Sequence, residues 1–239
     1  MHRILFSLFL FFVLTAQGQK YFQQRYKKFD KRFFHFGFMM GGNTGNFSLF
    51  AQDSNFLNYG IKSVTAKSTP GGQFGLLTSV KLGTPMFKFR FMPTISFMER
   101  VIEFRKINPD TSKTFDLLEE ERINSTNIDF PMILMFRTKR LNNFVAYGLL
   151  GTQWSIDLES QDGKAQSFID PYIKVKKYDW QGQIGGGVEF FAKFFKFAVE
   201  LKYSHGFRNT FIFEPTNSVA QPIDRLYNKG WWLSLIFEG

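Results

Sequence analysis

The sequence predicts an all-β protein: a transmembrane, antiparallel up-and-down β-barrel of eight strands in the outer membrane, following a cleaved signal peptide. Three observations predict it. Apolar residues recur at every second position over many short segments, the two-residue period of a strand. Short turns alternate with long polar connections, the loop sorting of outer-membrane barrels. Beyond the N-terminus there is no window of about 18 apolar residues, which excludes helical spans.

The chain starts Met1-His2-Arg3, continues as an apolar run from Ile4 to Leu14 interrupted only by Ser7, and reaches small residues at Ala16 and Gly18. That is a secretory leader, with cleavage expected after Gly18. Residues 19–33 form a basic lead without apolar period, QKYFQQRYKKFDKRF, expected in the periplasm as a disordered tail or a docking segment for an acidic or anionic partner. The barrel is expected over residues 34–239 as a single domain. Its first strand runs from Phe34 to about Phe47, with Phe36, Phe38 and Met40 on one face. Next, Phe74, Leu76, Val80 and Leu82 oppose Gln73, Gly75, Ser79 and Lys81. In the third, Phe87, Phe89, Phe91, Ile95 and Phe97 oppose Lys88, Arg90, Thr94, Ser96 and Arg100. Ile128 to Phe136 follows, with Asn127, Asp129 and Arg137 inward, and then Phe144 to Glu159, with Asp157 inward. Trp180 to Phe190 turns Glu189 and several glycines to the polar face. Phe195 to Ser204 alternates cleanly, placing Lys196, Glu200 and Lys202 opposite Phe197, Val199 and Leu201. The last strand, Gly230 to Gly239, points Trp231, Leu233, Leu235 and Phe237 outward.

The short turns are Gly83-Thr84-Pro85, Lys139 to Asn143 and Ala192-Lys193; the long polar connections are 49–70, 106–125, 160–177 and 213–229. A soluble, lipocalin-like barrel has the same period with the faces exchanged. The loop sorting, the leader and the glycine-rich polar face (Gly182, Gly185, Gly186, Gly187) argue against it. So do 33 phenylalanines spread in alternation with polar residues, which suit strands that meet lipid and end in aromatic rings. There is no cysteine, hence neither a disulfide nor a cysteine-linked lipid anchor.

An eight-stranded barrel is just wide enough to be filled by its own side chains. Lys81, Arg90, Asp129, Asp157, Glu189, Glu200 and Lys202 are expected to form an interior charge network, because a lone buried charge is costly. No catalytic, cofactor or metal site is expected. After loss of the leader only His35 and His205 remain, and Ser204 and His205, as neighbours on a strand, point to opposite faces. Gly185-Gly186-Gly187 lies within a strand and opens no helix, so it is not a phosphate loop. The formal charge of +10 is scattered rather than gathered in one patch. Membrane lipid and lipopolysaccharide are therefore the expected partners, rather than nucleic acid or a small-molecule substrate.

Two stretches carry a resemblance. NIDFPMILMFRTKRLNNFVAYGLLG, Asn127 to Gly151, is similar to a signature of Bacteroidota outer-membrane barrels, with Asp129, Phe130, Pro131, Tyr147 and Gly151 at its recurrent positions. YDWQGQIGGGVEFFAKFFKFAVELKYSHGFRN, Tyr178 to Asn209, matches the same group at Asp179, Gly185, Gly187, Glu200 and Gly206. The opening HFGFMMGGNTGNF and the ending SLIFEG fit as well. Nearly all of the mature chain resembles the PorT family, barrel components of the type IX secretion and gliding machinery. Asp129 departs from the pattern, standing where glutamate is commoner. The resemblance implies a non-enzymatic part in exporting proteins across the outer membrane, alongside other secretion-machinery proteins. The competing expectation is a small outer-membrane barrel for adhesion, envelope stability or minor transport.

Overall fold

The computed structural model describes residues 25–26, 28–51, 60–107, 117–160, 162, 173–213 and 222–239. The expected leader, 1–18, and residues 19–24 of the basic lead lie outside the described residues.

The alternating segments form strands β1 (Phe34–Ala51), β2 (Ile61–Lys81), β3 (Phe87–Phe91), β4 (Thr94–Lys106), β5 (Leu117–Arg137), β6 (Phe144–Asp157), β7 (Lys174–Val175), β8 (Tyr178–Phe191), β9 (Lys196–Gly206), β10 (Phe211–Ile212) and β11 (Ile223–Glu238). The long strands pair antiparallel with their neighbours, and β1 pairs with β11, which closes the sheet on itself. β3 and β4 share one position in the ring. Both lie between β2 and β5, and their register against β5 is continuous from Phe87↔Phe136 to Lys106↔Leu117. The break between them falls at Met92-Pro93, opposite Pro131, where the two prolines offer no N–H to the ladder. Met92 still donates to the Pro131 carbonyl at 3.2 Å. The ring is thus an eight-stranded, up-and-down barrel whose closure removes the sheet edges.

The turns 82–86, 138–143 and 192–195 and both ends of the ring share one rim, here termed periplasmic because short turns face that side in outer-membrane barrels. Phe36, Phe74, Leu76, Leu150, Ile184, Leu201 and Leu233 stand exposed on the outer face, a surface that only lipid makes favourable. Near the periplasmic rim, Phe38, Phe237, Phe197, Phe190 and Phe144 form a chain of ring contacts with centroids 5.0 to 6.4 Å apart. At the far border Phe130, Trp154 and Tyr178 stack, and Tyr203 meets Trp231. These are the two aromatic girdles of a membrane barrel.

Much of what the sequence suggests is loop is strand instead. Within the expected loops 49–70, 106–125 and 213–229, β1 runs on to Ala51, β2 starts at Ile61, β5 at Leu117 and β11 at Ile223. β2 and β5 have 21 residues each, about twice the 9–11 that cross a bilayer. The barrel therefore stands clear of the membrane at the extracellular end, where water replaces lipid and the faces exchange character. Inside, Phe47, Ile61, Ile102, Phe104, Ile123 and Leu226 belong to a buried apolar core. The short β7–β10 ladder, Phe211 opposite Val175, contributes both of those residues to it. Outside, Lys67 pairs with Glu103 and Glu120, Arg122 with Glu99 and Glu120, and Lys106 with Glu119. The register of β2 on β4 also shifts between Ser68 and Gly72, at Pro70-Gly71. Outward residues are even-numbered at Phe74 and Leu76 but odd-numbered at Lys67, so no single period spans β2.

Candidate functional site

The lumen is filled in layers. Nearest the periplasm lies a lattice of buried charges. Arg137 donates to Glu189 at 2.6 and 2.9 Å, and Glu189 also accepts Lys196 at 2.6 Å. Lys196 continues to Glu238 at 2.6 Å, and Arg90 lies 3.7 Å from the same carboxylate. Arg90 donates to Glu200 at 2.7 Å, whose other oxygen meets Lys202 at 3.0 Å. Each ion costs several kcal/mol to dehydrate, so such a lattice holds only because nearly every charge has a close opposite. Apolar side chains pack beside it: Met39, Leu77, Met92, Ile133, Met135, Leu149 and Ile236.

Above the lattice comes a polar layer around a single carboxylate. Asp129 accepts hydrogen bonds from Ser96 and Ser155, both at 2.6 Å, and Gln183 donates to Gln153 at 2.6 Å. Trp232 Nε1 donates to Ser204 at 2.8 Å. Higher still, Arg100 bonds Ser125 and Asn228 and lies 3.3 Å from Asp157, while Asp179 accepts Asn228 at 2.7 Å and Gln181 at 3.0 Å. A chamber of about 20 Å³ remains beside Arg100, Asp157 and Asp179, room for about one water. The apolar core closes the extracellular end.

Of the charges singled out from sequence, Arg90, Glu189, Glu200 and Lys202 meet in the lattice. Lys202 reaches back to Glu200, two residues away on its own strand, rather than across the lumen. Asp129 and Asp157 are interior but sit in the higher layers. Lys81 is half-buried at the rim opposite Lys88, and among the described residues it pairs with no carboxylate. The sequence reading missed Glu238. As the penultimate residue it looks like a strand end, yet it is the carboxylate that Lys196, Arg90 and, at 3.9 Å, Lys88 surround. Alternation from Trp232, Ser234 and Ile236 places it inward and could have found it.

The resemblance positions acquire a geometric role. Register places Tyr147 beside Gly187, and Gly187 beside Glu200. The Tyr147 hydroxyl crosses the bare glycine to donate to Glu200 at 2.8 Å, and a Cβ at Gly187 would come within 2.6 Å of that oxygen. Gly151 and Gly185 lie against neighbouring backbone, and Gly206 ends β9 beside Asp179, whereas Gly182 and Gly186, expected on the polar face, fall on the outer face opposite His205 and Leu201. Pro131 sits at the interruption described above. Ser204 points inward and His205 outward, where it stacks on Tyr227.

The periplasmic mouth is sealed by the end of the basic lead. A 3-10 turn, Phe29–Lys31, inserts Phe29 fully buried against Val145 and Phe191. His35 stacks on Phe29 at 3.8 Å and donates from Nε2 to its carbonyl at 2.8 Å. Lys88 and Lys196 hold their ammonium groups 4.5 and 4.8 Å from the ring centre, a cation–π arrangement that shields the lattice from water. Asp30 meets Arg137 at 3.4 Å and Arg140 at 3.3 Å. Phe29→Ala is expected to release the segment before β1 while leaving the strands paired, because among that segment's described residues this ring is the one fully buried anchor. Amine acylation should then reach Lys88 and Lys196, which are protected in the parent. Unchanged protection would show that the turn does not seal the mouth.

Residues 16–212 match the family model of the outer membrane protein beta-barrel domain. Two solved structures are similar. The outer membrane protein OprG from Pseudomonas aeruginosa is 12% identical, with a TM-score of 0.45 over 86% of this chain and 94% of that one. Ail, the attachment invasion locus protein of Yersinia pestis, solved with the heparin analogue sucrose octasulfate, is 13% identical, with a TM-score of 0.38 over 87% of this chain and 100% of that one. Among curated proteins the chain has no match.

Proposed function

The chain belongs to the outer membrane protein beta-barrel domain family, and from that premise we propose that it is a non-enzymatic component of a type IX secretion and gliding machinery, of the PorT kind. The leader at 1–18 delivers it to the envelope, and its partners are other proteins of that exporter together with outer-leaflet lipid. The observation that carries this reading is the filled lumen. A barrel blocked by an ion lattice, an apolar core and a periplasmic turn does not conduct a folded cargo, so it serves an exporter by anchoring or assembling it. The motif positions support the same reading, since Tyr147, Gly187 and Glu200 form one unit across three strands. Ser204 and His205, on opposite faces, supply no paired nucleophile and base.

Deletion of the gene followed by proteomics of the culture medium tests the proposal. Wholesale loss of secreted proteins is the expected result. The extension of the strands beyond the membrane favours a second reading, adhesion or envelope stability, and an unchanged secretome with weakened surface attachment would select it. In planar bilayers the purified barrel is expected to give no steady channels; reproducible ion-selective conductance would remove the basis of the first reading and favour minor transport.

A further inference from the structure

On the outer face, at the extracellular border of the apolar band, we infer a binding site for a phosphorylated glycolipid of the outer leaflet. The cleft has a volume of about 410 Å³ and is lined by Thr44, Asn46, Ser68, Tyr203, Lys229 and Trp231 around Gly230. That is the size of a small-ligand site. Its chemistry is divided as such a lipid requires. Trp231, half-exposed, and Tyr203 have ring centroids 5.0 Å apart and offer aromatic surface to a sugar face. Ser68, Asn46 and the Thr44 hydroxyl, which itself accepts the Trp231 N–H at 3.0 Å, supply neutral polar groups for sugar hydroxyls.

Lys229 supplies the charge. Among the described residues no carboxylate pairs with it, whereas Lys67, Arg100, Lys106, Arg122 and Arg225 at the same end each have an acidic partner. An ammonium that meets no carboxylate among the described residues, beside aromatic rings at the lipid border, suits a phosphate.

Directly below, toward the membrane, the surface loses its side chains. Gly42 and Gly72 face each other across β1 and β2, and a Cβ at Gly72 would meet nothing within 4 Å. Register walls this bare strip with Leu233 on one side and Phe97 on the other, both exposed. The result is a groove two strands wide and one side chain deep that leads into the cleft, the shape of a bed for an acyl chain. A phosphate contact, an aromatic-lined polar cleft and an acyl groove in line along the membrane normal match a phosphorylated, acylated sugar. A plain phospholipid would leave the aromatic and hydroxyl part unused. The inference rests on the outer-membrane placement and not on a role in secretion, so the secretome experiment and the following one fail independently.

The full-length barrel in detergent micelles is titrated with bis-phosphorylated lipid A, with the same lipid after phosphate removal, and with phosphatidylglycerol, and binding is read by native mass spectrometry. One saturable lipid A is expected, with roughly tenfold weaker binding for Lys229→Glu and for the dephosphorylated lipid, the scale of one charge-assisted contact. Gly42→Leu and Gly72→Leu should weaken binding several-fold by filling the groove, and Lys193→Glu at the periplasmic turn should change nothing. Heat-modifiable gel mobility reports folding, and Lys229→Gln replaces the glutamate variant if that one fails to assemble. Equal binding by Lys229→Gln and the parent, or equal binding of phosphatidylglycerol and lipid A, overturns the assignment.

Discussion

Glu200→Gln is expected to cost the barrel about 3–5 kcal/mol, the loss found when one partner of a buried ion pair is removed. Three donors converge on this carboxylate: Arg90 at 2.7 Å, the Tyr147 hydroxyl at 2.8 Å and Lys202 at 3.0 Å. The amide keeps the shape but loses the charge, and its NH2 turns a donor toward another donor. Among the described residues Arg90 then retains one ion-pair partner, Glu238 at 3.7 Å. Urea unfolding of the barrel refolded into vesicles reads the loss as a lowered midpoint. Lys202→Met in the same chain should restore part of the stability, because it removes one of the stranded cations; that recovery is the coupling between neighbours that a double-mutant cycle isolates. A loss below about 1 kcal/mol, the value for solvent-exposed pairs, would mean that water reaches the lattice and the lumen is open.

The second large effect is on the outside. Leu201→Arg should cost about 2–4 kcal/mol, the expense of a cation at the midplane of a barrel exterior. Leu201 is half-exposed between Leu233 on β11 and Gly186 on β8, within the apolar band. Thr65→Arg provides the contrast. Thr65 is also an exposed strand residue, but it lies on the protruding part of β2 opposite Glu103, where an arginine finds water and a carboxylate. There the change should stay within about 0.5 kcal/mol, as for ordinary surface positions. Similar effects at the two sites would show that the apolar band does not face lipid.

Much of the molecule was legible in the chain because a lipid-facing strand writes its environment at every second residue. Phe197, Val199 and Leu201 against Lys196, Glu200 and Lys202 fix both the strand and the face, and the inner face of β5 was legible, though less cleanly, at Asn127, Asp129 and Arg137. The protruding halves of the strands were not legible. There lipid no longer selects the outer residue, and the shift at Pro70-Gly71 moves the period by one, so a continuing strand resembles a polar loop.

The sequence by itself determined the fold class, the membrane face and most of the charges that lie inside, Glu238 and Lys81 excepted, since each follows from local alternation and the cost of placing a charge in lipid. Partnership was decided only by closure of the barrel. Glu200 meets Arg90 because β9 and β3, 110 residues apart in sequence, curve to opposite walls of one narrow lumen. Tyr147 reaches Glu200 because register sets Gly187 between them. Phe29, one aromatic in an unpatterned basic lead, becomes a seal because the closed ring presents Lys88, Lys196 and Phe191 around a single opening. Contacts of that kind depend on which strands stand next to each other, and no period within one strand records its neighbours.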